Sequence, residues 1–272
     1  MKITSTSAQR PRTVLVTGGS HRLGALLSAV FAKNQWQVWC HYHASELAAK
    51  ALCEQLISEG CNAKRIQADL SNHADREKMM QDILHASGAL DCIVNNASSF
   101  EPDHATDFDI QGLRQQLEVN LIAPMHLASL MAQSITDKDT PTNRSIIHVL
   151  DQKVFNLNPD YFSYTVSKLA LERAVTLQAQ ALAPHLRVCG VAPGLMFLSG
   201  PQSQKNFDNA CKVNLLQRAI DPHQVAASCL FLAENPCITG VTLTVDNGQH
   251  LVPLARDVMF VVDDILKTNH DQ

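Results

Sequence analysis

No apolar segment of the 272-residue chain reaches the ~20 residues that a helix needs to cross a bilayer, and the first eleven residues lack the apolar stretch of a secretory signal. The reading is a cytoplasmic protein with a flexible leader over 1–11. No lysine and arginine cluster stands out against a net charge of −4, so neither a nucleic acid nor a membrane surface is an expected partner. The eight cysteines include no C-x-x-C and the twelve histidines no H-E-x-x-H, so buried free thiols and no metal are expected. Linkers and internal repeats are also missing. At 46% hydrophobic and 18% charged, one domain over 12–250 can hold a substantial core, with a C-terminal tail at 251–272.

What is present is an alternation. Strand-like runs at 13–16, 37–42, 63–68, 92–95, 145–150, 187–192 and 241–246 alternate with helix candidates at 23–33, 46–59, 73–86, 110–135, 161–182 and 222–233. Asp221 and Pro222 open the last helix as cap and first-turn proline. Such an order implies right-handed crossovers and an α/β fold: a single-domain, Rossmann-type, doubly wound parallel sheet of seven strands with helices on both faces. Ligands of such sheets bind beyond the carboxyl ends of the strands.

Two patterns sit at those ends. T-G-G-S-H-R-L-G at 17–24 joins the first strand to a helix. Gly18 and Gly19 permit a tight turn, Gly24 permits close helix packing, and the helix's unpaired N–H groups would face a pyrophosphate. A lone glycine turn also fits an ordinary loop. Tyr164 and Lys168, four apart, share a helix face. The ammonium is expected to pull the phenol down from its usual pKa of ~10, so that it donates a proton near neutral pH. Alone, this pair also fits a solvated helix face. Asp151 stands thirteen residues before Tyr164.

Together with N-N-A-S at 95–98 and Pro193-Gly194, these patterns resemble the short-chain dehydrogenase/reductase family over nearly the whole chain, from about Arg12 to about Gly248. The resemblance implies a nicotinamide-dependent oxidoreductase in a largely tetrameric family, with the C-terminal tail packing on a neighbouring subunit or, alternatively, lying as a surface helix of the same chain. Implied cofactor contacts are Gly18, Ser20, His21, Arg22, Leu23 and Gly24 in the turn, then His41, Tyr42, His43 and Ser45 at the end of the second strand. Asp69 and Leu70 follow the third strand, Asn96, Ala97 and Ser98 the fourth, and Tyr164, Lys168, Pro193 and Gly194 complete the set. No acid follows the second strand before Glu46, while His43, Ser45 and Arg22 offer donors to a 2′-phosphate, so NADPH is the expected cofactor. Outside the family context His43 reads as an ordinary exposed histidine, and Asp69 also fits a helix cap. Asn120 resembles the family asparagine that bends the long helix and holds a water linked to the lysine; the alternative is an asparagine with no catalytic part.

Pteridine reductases and dihydromonapterin reductase-like members resemble this chain more closely still. Arg22 in the turn, H-Y-H-A-S at 41–45, A-D-L-S-N at 68–72, N-N-A-S-S-F at 95–100 and Asp151 in place of the usual serine all match. The resemblance implies pterin contacts from Arg22, Ser98, Phe100, Asp151 and Tyr164, with Phe100 stacking on the ring. An ionised carboxylate ~4 Å from a developing oxyanion costs about 4 kcal/mol at an effective dielectric near 20, roughly a thousandfold in rate. Asp151 therefore points to a substrate that offers N–H donors or is protonated on nitrogen; the alternative is a strand cap in an inactive chain. Ala44 stands where pteridine reductases often carry arginine, and V-D-N-G at 245–248 replaces V-D-G-G. The substrate segment 195–214 carries no pattern that names a pterin side chain. The implied reaction is NADPH-dependent reduction of a dihydropterin (dihydromonapterin, dihydrobiopterin or dihydrofolate) with Tyr164 as acid and Asp151, Lys168 and Asn120 beside it. The alternatives are a reductase of another carbonyl or imine, and a catalytically silent NADPH-binding regulator.

Overall fold

The computed structural model describes residues 10–135, 143–198 and 202–262. Most of the leader, and the tail from 263 onward, lie outside the described residues. Seven strands, β1 (Thr13–Val16), β2 (Gln37–Tyr42), β3 (Ala63–Gln67), β4 (Cys92–Asn95), β5 (Ser145–Val149), β6 (Arg187–Pro193) and β7 (Thr242–Val245), form one sheet in the order β3-β2-β1-β4-β5-β6-β7. Every pairing is parallel. The chain proceeds from β1 outward to β2 and β3, then returns to place β4 on the other side of β1. Crossovers leave in opposite directions there, which opens a crevice above the β1 and β4 ends.

β1, β2, β4, β5 and β6 are buried at every residue, as strands covered on both faces must be. Edge strand β3 is mixed, with Lys64 and Arg65 exposed. Alternating side chains divide the core. Val14, Val16, Val38 and Ile147 pack with Leu27 and Phe31 of α1 (Arg22–Lys33) and Leu232 of α8 (Pro222–Glu234). On the opposite face Leu15, Ile93, Ile146 and Val188 meet Met79 of α3 (His73–Ser87), Leu127 of α5 (Ala123–Gln133) and Leu171 of α6 (Phe162–Leu182). Each such side chain stabilises the fold by about 1.5–3 kcal/mol. Asp221 accepts from the His223 N–H at 2.9 Å and caps α8, as its sequence suggests. The cap of α3 is Asn72, which accepts from Ala74 N–H at 2.9 Å, so Asp69 is not the cap.

The helix expected over 110–135 is not continuous. α4 (Ile110–Leu117) runs into a wider π turn, Glu118–Ile122, before α5 begins. Pro124 has no N–H to give the Asn120 carbonyl four residues back, so the regular ladder cannot pass this point. Around the cleft, α2 (Glu46–Ser58) follows β2, and a short α7 (Gln204–Ala210) lies within the substrate segment. At the start of the tail, residues 258–262 are helical, and Val258 and Val262 pack against Ala210, Leu195 and Val213. That part of the tail lies on its own chain's substrate segment. Among the described residues, no helix is long and apolar enough to cross a membrane.

Candidate active site

A cleft of about 980 Å³ opens above the carboxyl ends of the strands. Every residue expected at the site lines it except Asn120. At the β1 end the backbone does the shaping. Gly18 takes φ 59, and a Cβ on Gly24 would collide with the Gly18 carbonyl, so the α1 N-terminus approaches the turn as only glycine permits. Arg22 also adopts a positive φ, 46, at the position where the usual turn has glycine. A non-glycine residue in that region is strained, and strain of this kind gathers at ligand sites. Its side chain remains exposed at the cleft wall.

His41 and Asn96 hold this turn. His41 Nδ1 accepts the Gly18 N–H at 3.0 Å, which leaves the proton on Nε2 for the Ala68 carbonyl at 3.1 Å. Burial lowers the ring's pKa from 6.5 to about 4, so it stays neutral. Both ring nitrogens of His41 are thus bonded to backbone, and the residue meets the cleft as part of its wall. Asn96 Nδ2 donates to the Thr17 and Gly18 carbonyls at 3.0 and 3.2 Å, and Thr17 Oγ1 accepts from Asn96 N and Ala97 N at 2.9 and 3.0 Å. Beyond β2, His43 and Ser45 remain open; Ser45 starts α2 without its hydroxyl capping the helix. Asp69 lies 3.9 Å from His43. Partial burial would raise its carboxyl, but the bonds from Ser71 N–H and hydroxyl, at 2.9 and 2.8 Å, leave it below its usual value.

At the β5 end the side chains do the work. Asp151 follows β5, and its Oδ1 accepts the Lys153 N–H at 2.8 Å while its Oδ2 accepts the Tyr164 hydroxyl at 2.9 Å. Burial pushes the Asp151 carboxyl up against the opposing influence of Lys153, Tyr164 and Lys168. Burial, then the Asp151 charge, holds the Tyr164 phenol well above its ordinary value. The expectation that Lys168 lowers it is therefore corrected: Nζ is bound to the Val149 carbonyl at 2.8 Å and stands 5.7 Å from the phenol ring. Burial brings Lys168 itself down to about 8. The upward direction of the Asp151 shift lessens the repulsion expected between an ionised carboxylate and an oxyanion.

Asn120 lies behind the wall. It is fully buried in the π turn, where Oδ1 accepts from Ser99 N and Ser98 Oγ at 2.8 and 3.1 Å, and Nδ2 donates to Ser99 O and Ser167 Oγ at 2.9 and 3.0 Å. It positions the 98–99 segment and α6; it does not touch the reacting space.

Among the cleft residues not foreseen, four are linked to one another or to Phe100. Tyr161, in the left-handed region with φ 57, stacks on Phe100 with ring centres 4.3 Å apart, and Phe100 meets Tyr164 edge-on at 4.7 Å. Lys153 is buried, its Nζ donating to Asn158 Oδ1 at 2.8 Å and Asp257 Oδ2 at 2.9 Å. Met259 receives the Tyr161 hydroxyl on its sulfur at 3.3 Å. Asp257 and Met259 belong to the tail, and no motif spacing in the sequence connects them to the site. The pair Asp160–Tyr161 just before Tyr164 is the one local signal that was available.

Known proteins resemble this chain over most of its length. A family model described as enoyl-(acyl carrier protein) reductase matches residues 20–250. Pteridine reductase 1 of Leishmania tarentolae is 32% identical, the match covering 91% of this chain and 99% of that protein. Dihydromonapterin reductase of Escherichia coli is 27% identical over 89% of this chain and 98% of its own. Among solved structures, FolM alternative dihydrofolate reductase 1 of Brucella canis, complexed with NADP, superposes with a TM-score of 0.83 at 33% identity, covering 88% of this chain and 94% of that one.

Proposed function

Because the chain belongs to the short-chain dehydrogenase/reductase family, we propose that it is an NADPH-dependent reductase of dihydropterins. The observation that carries this reading is the Asp151–Tyr164 hydrogen bond at the cleft floor, a carboxyl where the family usually has serine. Relatives and structural neighbours named for pterin and dihydrofolate reduction support it.

The residues present fit the cofactor. Gly24, where a Cβ would collide with the Gly18 carbonyl, lets the α1 N-terminus close onto the turn and face the cleft, and Arg22, His43 and Ser45 line the end where a 2′-phosphate would bind. NADPH, when bound, supplies the hydride. Tyr164 supplies the proton to the ring nitrogen of the substrate. A phenol held above its ordinary pKa is a reluctant acid by itself, and Asp151, which accepts the phenol's hydrogen bond and whose carboxyl burial pushes upward, is the neighbouring group able to pass on a proton. Asp151 then recovers a proton from the cleft, to which it is partly open. Lys168, fixed to the Val149 carbonyl, is the residue to hold the nicotinamide ribose. Phe100, stacked on Tyr161 yet still exposed at the cleft, is the aromatic ring placed to meet the pterin. The raised carboxyl also favours a second reading, reduction of another carbonyl or imine.

NADPH oxidation with 7,8-dihydrobiopterin and with dihydromonapterin, beside a Tyr164→Phe control, tests the proposal. Turnover that the substitution abolishes is expected. Tight NADPH binding with no turnover on either pterin would sink the assignment.

A further inference from the structure

The mechanism leaves one buried charge without a part. Lys153 is 3% exposed, sits two residues after Asp151 on the same turn, and points its ammonium past the Tyr161 ring, 5.5 Å from its centre, to Asn158 and Asp257. A cation so near a carboxyl favours ionisation. Asp257, arriving from more than a hundred residues away, neutralises it.

That arrival is anchored twice. Arg256 Nε donates to both Asp160 oxygens at 2.8 and 2.9 Å, and the Asp257 N–H donates to Asp160 Oδ2 at 2.7 Å, with the Asp160 side chain 2% exposed. Val258 and Val262 seat the following turn on Ala210. Asp257 therefore reaches Lys153 from a fixed backbone rather than as a free side chain.

We propose that Asp257 is a positioning residue that clasps the C-terminal segment over the cleft and, by pairing with Lys153, draws that ammonium's charge away from the Asp151 carboxyl. The groups that bear on Asp151 are Lys153 on its own turn, Tyr164 and Lys168 on α6, and Asp257, which acts through Lys153 and also faces Tyr164. Proton delivery in the active site is thereby tied to whether the C-terminal segment is docked. This rests on the reading of Asp151 as a proton carrier, so its test measures the carboxyl and not turnover.

The pH at which the infrared carboxylic acid band of Asp151, assigned by its loss in Asp151→Asn, is half gone would be followed in the purified full-length protein. Asp257→Asn is expected to lower that midpoint by about one pH unit or more. In a Lys153→Gln background the same substitution should shift it by less than half as much. A midpoint that is unmoved or raised, or a shift in the Lys153→Gln background of half or more, overturns the proposal; so does a wild-type midpoint no higher than that of an ordinary carboxylate. If Asp257→Asn does not fold, Lys153→Gln alone decides, with a raised midpoint supporting and an unchanged or lowered one overturning. Failure to reduce pterins would leave these shifts standing and count only against the function proposed above.

Discussion

At the β1 end of the cleft the polar groups are bound to backbone before any ligand arrives: Gly18 N–H to His41, the Asn96 amide to Thr17 and Gly18. At the β5 end they are bound to one another, Tyr164 to Asp151, Lys153 to Asp257, and two of them are displaced upward in proton affinity. One half is a rigid mould in which main-chain geometry makes the fit. The other is a set of coupled proton sites whose state depends on each member. Substitutions in the first should change affinity, and substitutions in the second should change chemistry.

The hardest test of that division is Tyr164→Phe. It should cut kcat by about a thousandfold, within the range for loss of a general acid, while the Kd for NADPH stays within about threefold. A parallel loss of cofactor affinity would break the distinction. Next in size is acid stability. His41 in the mould and His148 beneath the catalytic half are both neutral; burial first, aided at His148 by Lys168, lowers each from 6.5 to about 4. The unfolded chain takes up these protons below pH 6.5 and the native chain refuses them until about pH 4, so stability falls as pH drops through that window, by at most about 3 kcal/mol per ring. Urea unfolding between pH 4 and 7 should lose about one proton of this dependence in His148→Gln. Gly24→Val should weaken NADPH binding by about 2 kcal/mol, near thirtyfold, through overpacking against Gly18, with the Asp151 titration unmoved. The smallest effect expected is Phe100→Leu, about fivefold in the pterin KM with kcat little changed, by loss of an aromatic face worth about 1 kcal/mol. A large fall in kcat would instead put Phe100 among the proton-handling residues.

The mould was legible in sequence because it is local. Glycine spacing in 17–24, the acid-free end of β2 and N-N-A-S are each local signals within a few residues, and the strand boundaries fell within one residue. The π turn at Asn120 had a readable cause in Pro124, yet apolar periodicity continued across it and suggested one helix. The proton-coupled half was legible only at Asp151, Tyr164 and Lys168. Lys153, Tyr161 and Asp257 meet through side-chain contacts between segments about a hundred residues apart, and no periodicity encodes such contacts. The direction of the Tyr164 shift was misread for the same reason, since it is decided by burial and by where Lys168 finds its acceptor.

Arg22 holds a backbone shape that glycine would adopt at no cost and that an L-residue adopts at about 1–2 kcal/mol. Stability and function therefore pull in opposite directions at this one codon. A laboratory population selected only for heat tolerance would drift toward glycine at 22, gaining melting temperature while surrendering the cation proposed to meet the cofactor's phosphates, and sequencing the survivors would reveal that exchange.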